Sequence, residues 1–209
     1  MKNIISALTV LLMALTLSSC GGNQNKQKAD DSFFQAAFDG DLETVKKQLK
    51  TVDVNSQDAD NFTALMYAAF EGHVEVAKLL LKEGADVSLV NNQNRNALMF
   101  ASTSPSAEMV KLLIDAGSDV NLEDSVENWT PFLMAAAEGL IENMELLEAA
   151  GANIKALDVD GESALDFAMA HQKQEAMVYL IQKGVPSKNF NFEAKTIGDI
   201  RKEYEEQEN

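Results

Sequence analysis

Thr63-Ala64-Leu65-Met66-Tyr67-Ala68-Ala69 opens a unit that closes on Gly84-Ala85-Asp86-Val87, and both ends of it return along the chain. The opening recurs as Asn96-Ala97-Leu98-Met99-Phe100-Ala101 after 33 residues and as Thr130-Pro131-Phe132-Leu133-Met134-Ala135-Ala136 after 34 more. Ser163-Ala164-Leu165-Asp166-Phe167-Ala168 follows another 33 on. The closing block returns as Gly117-Ser118-Asp119-Val120, Gly151-Ala152-Asn153-Ile154 and a degraded Gly184-Val185, at gaps of 33, 34 and 33. Both landmarks gain their extra residue in the same copy. Such a period marks one supersecondary unit stacked in tandem as a solenoid.

Local chemistry supports two helices per unit. Thr63, Asn96, Thr130 and Ser163 stand where a helix starts, and each carries an oxygen able to cap free amides. Pro131 occupies a first helical position, where its missing N–H costs nothing. Gly72 and Gly139 stop the first helix, and the second carries apolar stripes such as Val76, Leu79, Leu80 and Met109, Leu112, Leu113. Tyr67, Phe100 and Phe167 fall at inward positions. Segments such as 58–62 and 158–162 are expected at hairpin tips.

These residues resemble the ankyrin repeat, whose pattern combines a T-P-L-H-x-A-A element, a Gly-His turn, a Leu-Leu pair and Gly-Ala-Asp. The resemblance covers roughly Ser32 to Val185. The second copy is the fullest, with Gly72-His73, Leu79-Leu80 and Gly84-Ala85-Asp86 in place. It implies an all-α repeat solenoid of about five repeats, the first without its hairpin, spanning residues 32–187. Residues 188–209 read as a C-terminal helical cap built on a partial repeat, with Ile197 to Gln207 as its helix. Several departures matter. Met66, Met99, Leu133 and Asp166 replace the family histidine, and Pro105 and Gln172 stand where a turn glycine is expected.

The N-terminal residues belong to a different class of signal. Lys2 precedes an apolar run from Ile4 to Leu17, the layout of a secretory signal over residues 1–19. Leu17-Ser18-Ser19-Cys20-Gly21 resembles a bacterial lipobox, which implies a lipid on the Cys20 thiol. Cys20 is the only cysteine, so an intramolecular disulfide is impossible. Residues 20–31 then read as the lipidated cysteine and a flexible tether. Gly21 is not the aspartate of inner-membrane retention, so the expected address is the outer membrane, facing the periplasm.

Composition narrows the chemistry. The formal net charge is −16, and loss of the signal, which removes Lys2 and no acid, makes it one unit more negative. Such a field opposes nucleic acid and favours a basic partner. With one cysteine and two histidines, His73 and His171, no zinc or nucleophile constellation is expected. No phosphate loop appears. Around Gly161 a calcium loop would need ligands at Ala156 and Phe167, which cannot serve. The expected protein is no enzyme and uses no cofactor; a carboxylate-dependent envelope hydrolase is the alternative of another class. A purely structural envelope lipoprotein is a third reading.

In the ankyrin family, partners meet the hairpin tips and the adjoining face of the first helix. Carried over, this gives Asp60, Phe62, Phe70 and Glu71, then Arg95, then Glu127, Trp129 and Glu138, then Asp160 and Glu162. Phe62, Phe70, Arg95 and Trp129 are the expected anchors, with the extra residue before Trp129 pushing its indole outward. The competing reading folds these aromatics back onto their neighbours. The expected function is a monomeric, lipid-anchored scaffold that binds a protein through this face. An immunity protein or inhibitor capping a basic toxin or envelope enzyme is the runner-up.

Overall fold

The computed structural model describes residues 24–189. The signal segment 1–19, Cys20 and cap residues 190–209 lie outside the described residues. Among the described residues ten helices follow in five pairs: α1 (Gln24–Phe38) and α2 (Leu42–Gln48), α3 (Ala64–Glu71) and α4 (Val74–Lys82), α5 (Ala97–Ser102) and α6 (Ala107–Asp115), α7 (Pro131–Glu138) and α8 (Ile141–Ala149), α9 (Ala164–Ala170) and α10 (Gln174–Gln182). First helices pack on first helices (α1 on α3, α3 on α5, α5 on α7, α7 on α9), and second helices line up behind them. This is the all-α solenoid expected from the period. No described helix is long and apolar enough to cross a membrane.

One boundary differs from expectation. The stretch 20–31 reads as flexible tether, yet from Gln24 it forms the opening turns of α1. Gln, Lys and Ala are good helix formers. The buried Phe33, Phe34, Ala36 and Ala37 fix the following turns, so the costly nucleation step is already met.

Short first helices survive because both ends are tied and one face is fully buried. Thr63, Asn96, Thr130 and Ser163 each accept the amide three residues on, at 3.2, 3.0, 3.3 and 3.3 Å. Ala64, Ala68, Ala97, Ala101, Ala135, Ala136, Ala164 and Ala168 are buried, which lets neighbouring repeats approach closely. Met66, Met99 and Leu133, at the family's histidine position, are simply core. The fourth substitute, Asp166, has a separate use. Its carboxylate accepts the Ser163 amide (2.9 Å), the Ser187 hydroxyl (2.6 Å) and the Lys188 amide (3.1 Å), fastening the segment after α10 to the last first-helix.

The two glycine-less turns part company. Gln172 keeps the turn by taking φ 56 itself, whereas Pro105 cannot. There α5 stops early, at Ser102, and its loose end is held from the next repeat: buried Asn143 on α8 donates to the carbonyls of Ser104 (2.8 Å) and Ser102 (3.5 Å). His73, in the regular Gly-His turn, contacts the Phe38 carbonyl through Nε2 at 2.9 Å, joining the first two repeats.

Candidate functional site: the hairpin tips and their helix face

Each tip is organised by a single side chain that the repeat pattern alone did not single out. Asp58 Oδ1 accepts the amides of Asp60 (2.9 Å) and Phe62 (2.8 Å). Asn91 does the same for Gln93 (2.9 Å) and Arg95 (3.0 Å), and Asp158 for Asp160 (2.9 Å) and Glu162 (2.7 Å). Asp124 gathers Val126, Glu127 and Trp129 at 3.1, 2.8 and 3.4 Å. A short acceptor that draws amides from two and four residues on makes a tight loop self-consistent. Asn61, Asn94 and Asn128 then reverse the chain at φ 62, 59 and 57, with Gly161 in the same role. The signal was available in the sequence: Asp or Asn stands at 58, 91, 124 and 158.

Adjacent tips are joined by backbone hydrogen bonds. Asn92 N–H donates to the Asp60 carbonyl at 3.1 Å, Ser125 to Gln93 at 2.9 Å, and Val159 to Glu127 at 3.0 Å. The tip of the fourth repeat holds the extra residue. Its acceptor is Glu127, one position later than in the other tips, and the residue pushed out is Val126, 52% exposed. The expectation that the insertion would turn Trp129 outward is corrected: the indole lies 4.7 Å, centroid to centroid, from the Phe167 ring on α9.

The other expected anchors also turn inward. Phe62 stacks on Tyr67 at 5.2 Å and reaches Phe100 in the next repeat at 5.1 Å, and Phe70 meets Phe100 edge-on at 6.3 Å. Phe62, Phe70 and Trp129 are half-buried rings lining the junction of tips and first helices. Each such pair contributes roughly 0.5–1.5 kcal/mol beyond its buried area. Tyr67 closes the row, its hydroxyl donating to Asp58 Oδ2 at 2.7 Å. Burial first, and then that carboxylate, push the phenol well above its ordinary value. Phe100 and Phe167 are buried, as their inward positions implied. Arg95 is engaged as well: its Nε and one terminal nitrogen bond Asp124 Oδ2 at 2.8 and 2.5 Å.

Open surface falls to the acids. Asp60, Glu71, Glu127, Glu138 and Asp160 are exposed and Glu162 is half-buried. Asp60, Glu127 and Asp160 stand on the tips, whereas Glu71 and Glu138 end α3 and α7, so the face is lined in two rows. On the last two tips the carboxylates of Glu127, Asp158 and Asp160 approach within 4.8 Å of one another. His171, at the end of α9, is half-buried. With acids spread along it, this face suits cationic groups of a partner over an anionic one.

Comparison with known proteins bears on the same residues. The family described as ankyrin repeats (3 copies) matches residues 33–124 and 105–191. A palmitoyltransferase, akr1, of Schizosaccharomyces pombe is 41% identical over 61 residues, 28% of this chain and 10% of the relative. Alpha-latrocrustotoxin-Lt1a of Latrodectus tredecimguttatus is 37% identical over 71 residues, 32% of this chain and 5% of the relative. Ankyrin repeat domain-containing protein 49 of Homo sapiens is also 37% identical over 71 residues, covering 32% of this chain and 30% of the relative. The chain thus spans less than a third of the length of these relatives. With its tandem helix pairs, tied hairpin tips and this match across most of its length, the chain belongs to the ankyrin-repeat family.

Proposed function

We propose that this protein is a lipid-anchored interaction module of the bacterial cell envelope, docking a basic protein on its tips and first-helix face. The observation that carries the reading is the face itself: a rigid, aromatic-backed junction whose exposed side chains are chiefly carboxylates. Repeat arrays give extended binding surfaces of this kind, and acidic complementarity speeds encounter with a basic partner. The Leu17-to-Gly21 run supports the anchor at Cys20, and Gly21 supports an outer-membrane, periplasm-facing address. The protein acts as a monomer. The same acidity favours a second reading, an immunity protein or inhibitor that caps a basic toxin or envelope enzyme.

Affinity purification of the anchored full chain, followed by mass spectrometry, tests the docking role. Reversing Glu71 and Glu138 to lysine should reduce recovery of the partner without shifting the melting temperature; undiminished recovery removes this face from the reading. For the anchor, Cys20→Ala should abolish palmitate incorporation, and persistent labelling would refute the lipid at that residue. A toxin or hydrolase recovered as the partner would select the inhibitor reading.

A further inference from the structure

The side chains that fold the tips all accept amides through Oδ1, and they differ at their second atom. Asp58 Oδ2 takes the Tyr67 hydroxyl of its own first helix. Asp124 Oδ2 takes the Arg95 guanidinium, from the residue before the helix cap of the preceding repeat. In the third repeat those two donor positions hold Phe100 and Phe62, and the tip residue is the neutral Asn91. The fifth repeat has the same surroundings, with Phe167 and Trp129 at the donor positions, yet its tip residue is Asp158. Asp158 is only 9% exposed. Its Oδ1 accepts the amides of Asp160 and Glu162, whereas no donor of the chain reaches its Oδ2, which stays open to solvent. Lys188, the nearby ammonium, goes to the Asp160 carbonyl instead. A carboxylate so deeply set and without a cation is unfavourable. Asn91 shows that the fold does not require the charge.

We infer that Asp158, with Glu127 beside it, seats an arginine of the partner protein, an intermolecular counterpart of Arg95 on Asp124. This rests on the interaction-module reading given above and names the group that anchors it. The chain itself supplies the precedent for the occupant. Arg95 puts two nitrogens on Oδ2 of Asp124 and leaves Oδ1 to the tip amides. Asp158 has the same division of its oxygens, with Oδ2 vacant for that group. Glu127, exposed on the neighbouring tip, brings a carboxylate oxygen within 4.8 Å of one on Asp158. A planar guanidinium with five donors spans two such oxygens, whereas an ammonium is a compact, strongly hydrated point charge. Asp160 stands equally close but has interactions of its own, so the seat is built from the other two acids. The acids on α3 and α7 supply attraction over a longer range.

Melting curves and peptide titrations of the purified full chain test this, with Asp158→Asn as the main variant. Its melting temperature should hold or rise, as Asn91 implies, whereas Asp124→Asn, which strips Arg95 of its partner, should lower it. The probes are the capped peptide Gly-Ser-Arg-Ser-Gly and its lysine and citrulline forms, followed by amide chemical shifts. The arginine peptide should bind at least about threefold more tightly than the lysine form, shifting the amides of residues 158–162, and the citrulline form should not bind. Asp158→Asn should weaken the arginine peptide at least about tenfold, and Glu127→Gln, on an exposed residue, should weaken it by a smaller factor. A melting temperature that falls in Asp158→Asn as far as in Asp124→Asn would make the carboxylate structural and overturn the inference. Equal binding of the arginine and lysine peptides would also overturn it, as would saturable calcium binding that Asp158→Asn abolishes. Partner recovery from cells that depends on Glu71 and Glu138 but not on Asp158 would sink this inference alone and leave the docking role standing. Recovery indifferent to all three acids would remove both.

Discussion

Arg95 reaches from one repeat into the next to close on Asp124, the residue that folds the tip of the fourth repeat. Both nitrogens meet the same oxygen, Oδ2, while Oδ1 collects the tip amides. The Asp124 side chain is 0% exposed and that of Arg95 19%, so the pair is nearly dry. Arg95→Ala should lower stability by roughly 2–4 kcal/mol, because it strands a buried charge. Asn91 shows that a neutral amide organises a tip equally well. Adding Asp124→Asn to Arg95→Ala should therefore recover part of the loss in urea unfolding. A double variant no more stable than the single one would show that the stranded charge is not the cause.

Acid should loosen the C-terminal end of the array. Burial opposes the charge of Asp166, but hydrogen bonds from Ser187, the Ser163 and Lys188 amides and the Ser163 hydroxyl outweigh it and hold the carboxyl below its ordinary 3.8. A depressed folded value means that this stabilisation is complete above 3.8 and is lost as pH falls through the lower folded value. Asp166→Asn should lose stability at neutral pH and show a shallower acid decline than the parent. Urea midpoints measured from neutral pH down to about 3 would reveal it; parallel curves would contradict the assignment.

Asn143 substitutes for a turn that proline forbids. Asn143→Leu keeps the bulk but leaves the carbonyls of Ser102 and Ser104 without their donor, at a cost of about 1–3 kcal/mol. Hydrogen exchange should accelerate first around residues 102–106. Uniform acceleration along the chain would place the role of Asn143 elsewhere.

Gln172 offers the opposite change. It holds φ 56 where Gly72 and Gly139 hold φ 75 and 73, and the left-handed region is costly for a residue with a Cβ. Gln172→Gly should raise the melting temperature by about 1–3 °C, after allowing for the freer unfolded chain. A fall would mean that the Gln side chain contributes more than its backbone costs.

The fold was readable because its signals are local. Caps such as Thr63, turn glycines such as Gly72, and buried alanines all act within a few residues, and a period repeats each of them. The site was only partly readable because its decisive contacts cross repeats. Phe62 and Trp129 look like free aromatics in their own hairpins, but each finds its ring partner, Phe100 and Phe167, 38 residues further on. Arg95 likewise depends on a carboxylate in the next tip. Val126 shows the same limit: the position of the extra residue was visible, but which side chain it would expose depended on which carbonyl the following tip chose. The Asp or Asn that folds each tip was legible in principle, hidden by its resemblance to ordinary loop polarity.

The bonds between tips also give the array a direction. Every junction has a backbone carbonyl before it and an amide after it, from Asp60 through Gln93 to Glu127. At Asp160 the sequence of junctions changes character, since the group that arrives is the Lys188 ammonium instead of another tip. A unit duplicated in the interior would find matching partners on both sides. One placed directly after the fifth would have to displace the Lys188 ammonium from the Asp160 carbonyl first, so the described array accepts a further unit more readily from within than after its fifth repeat.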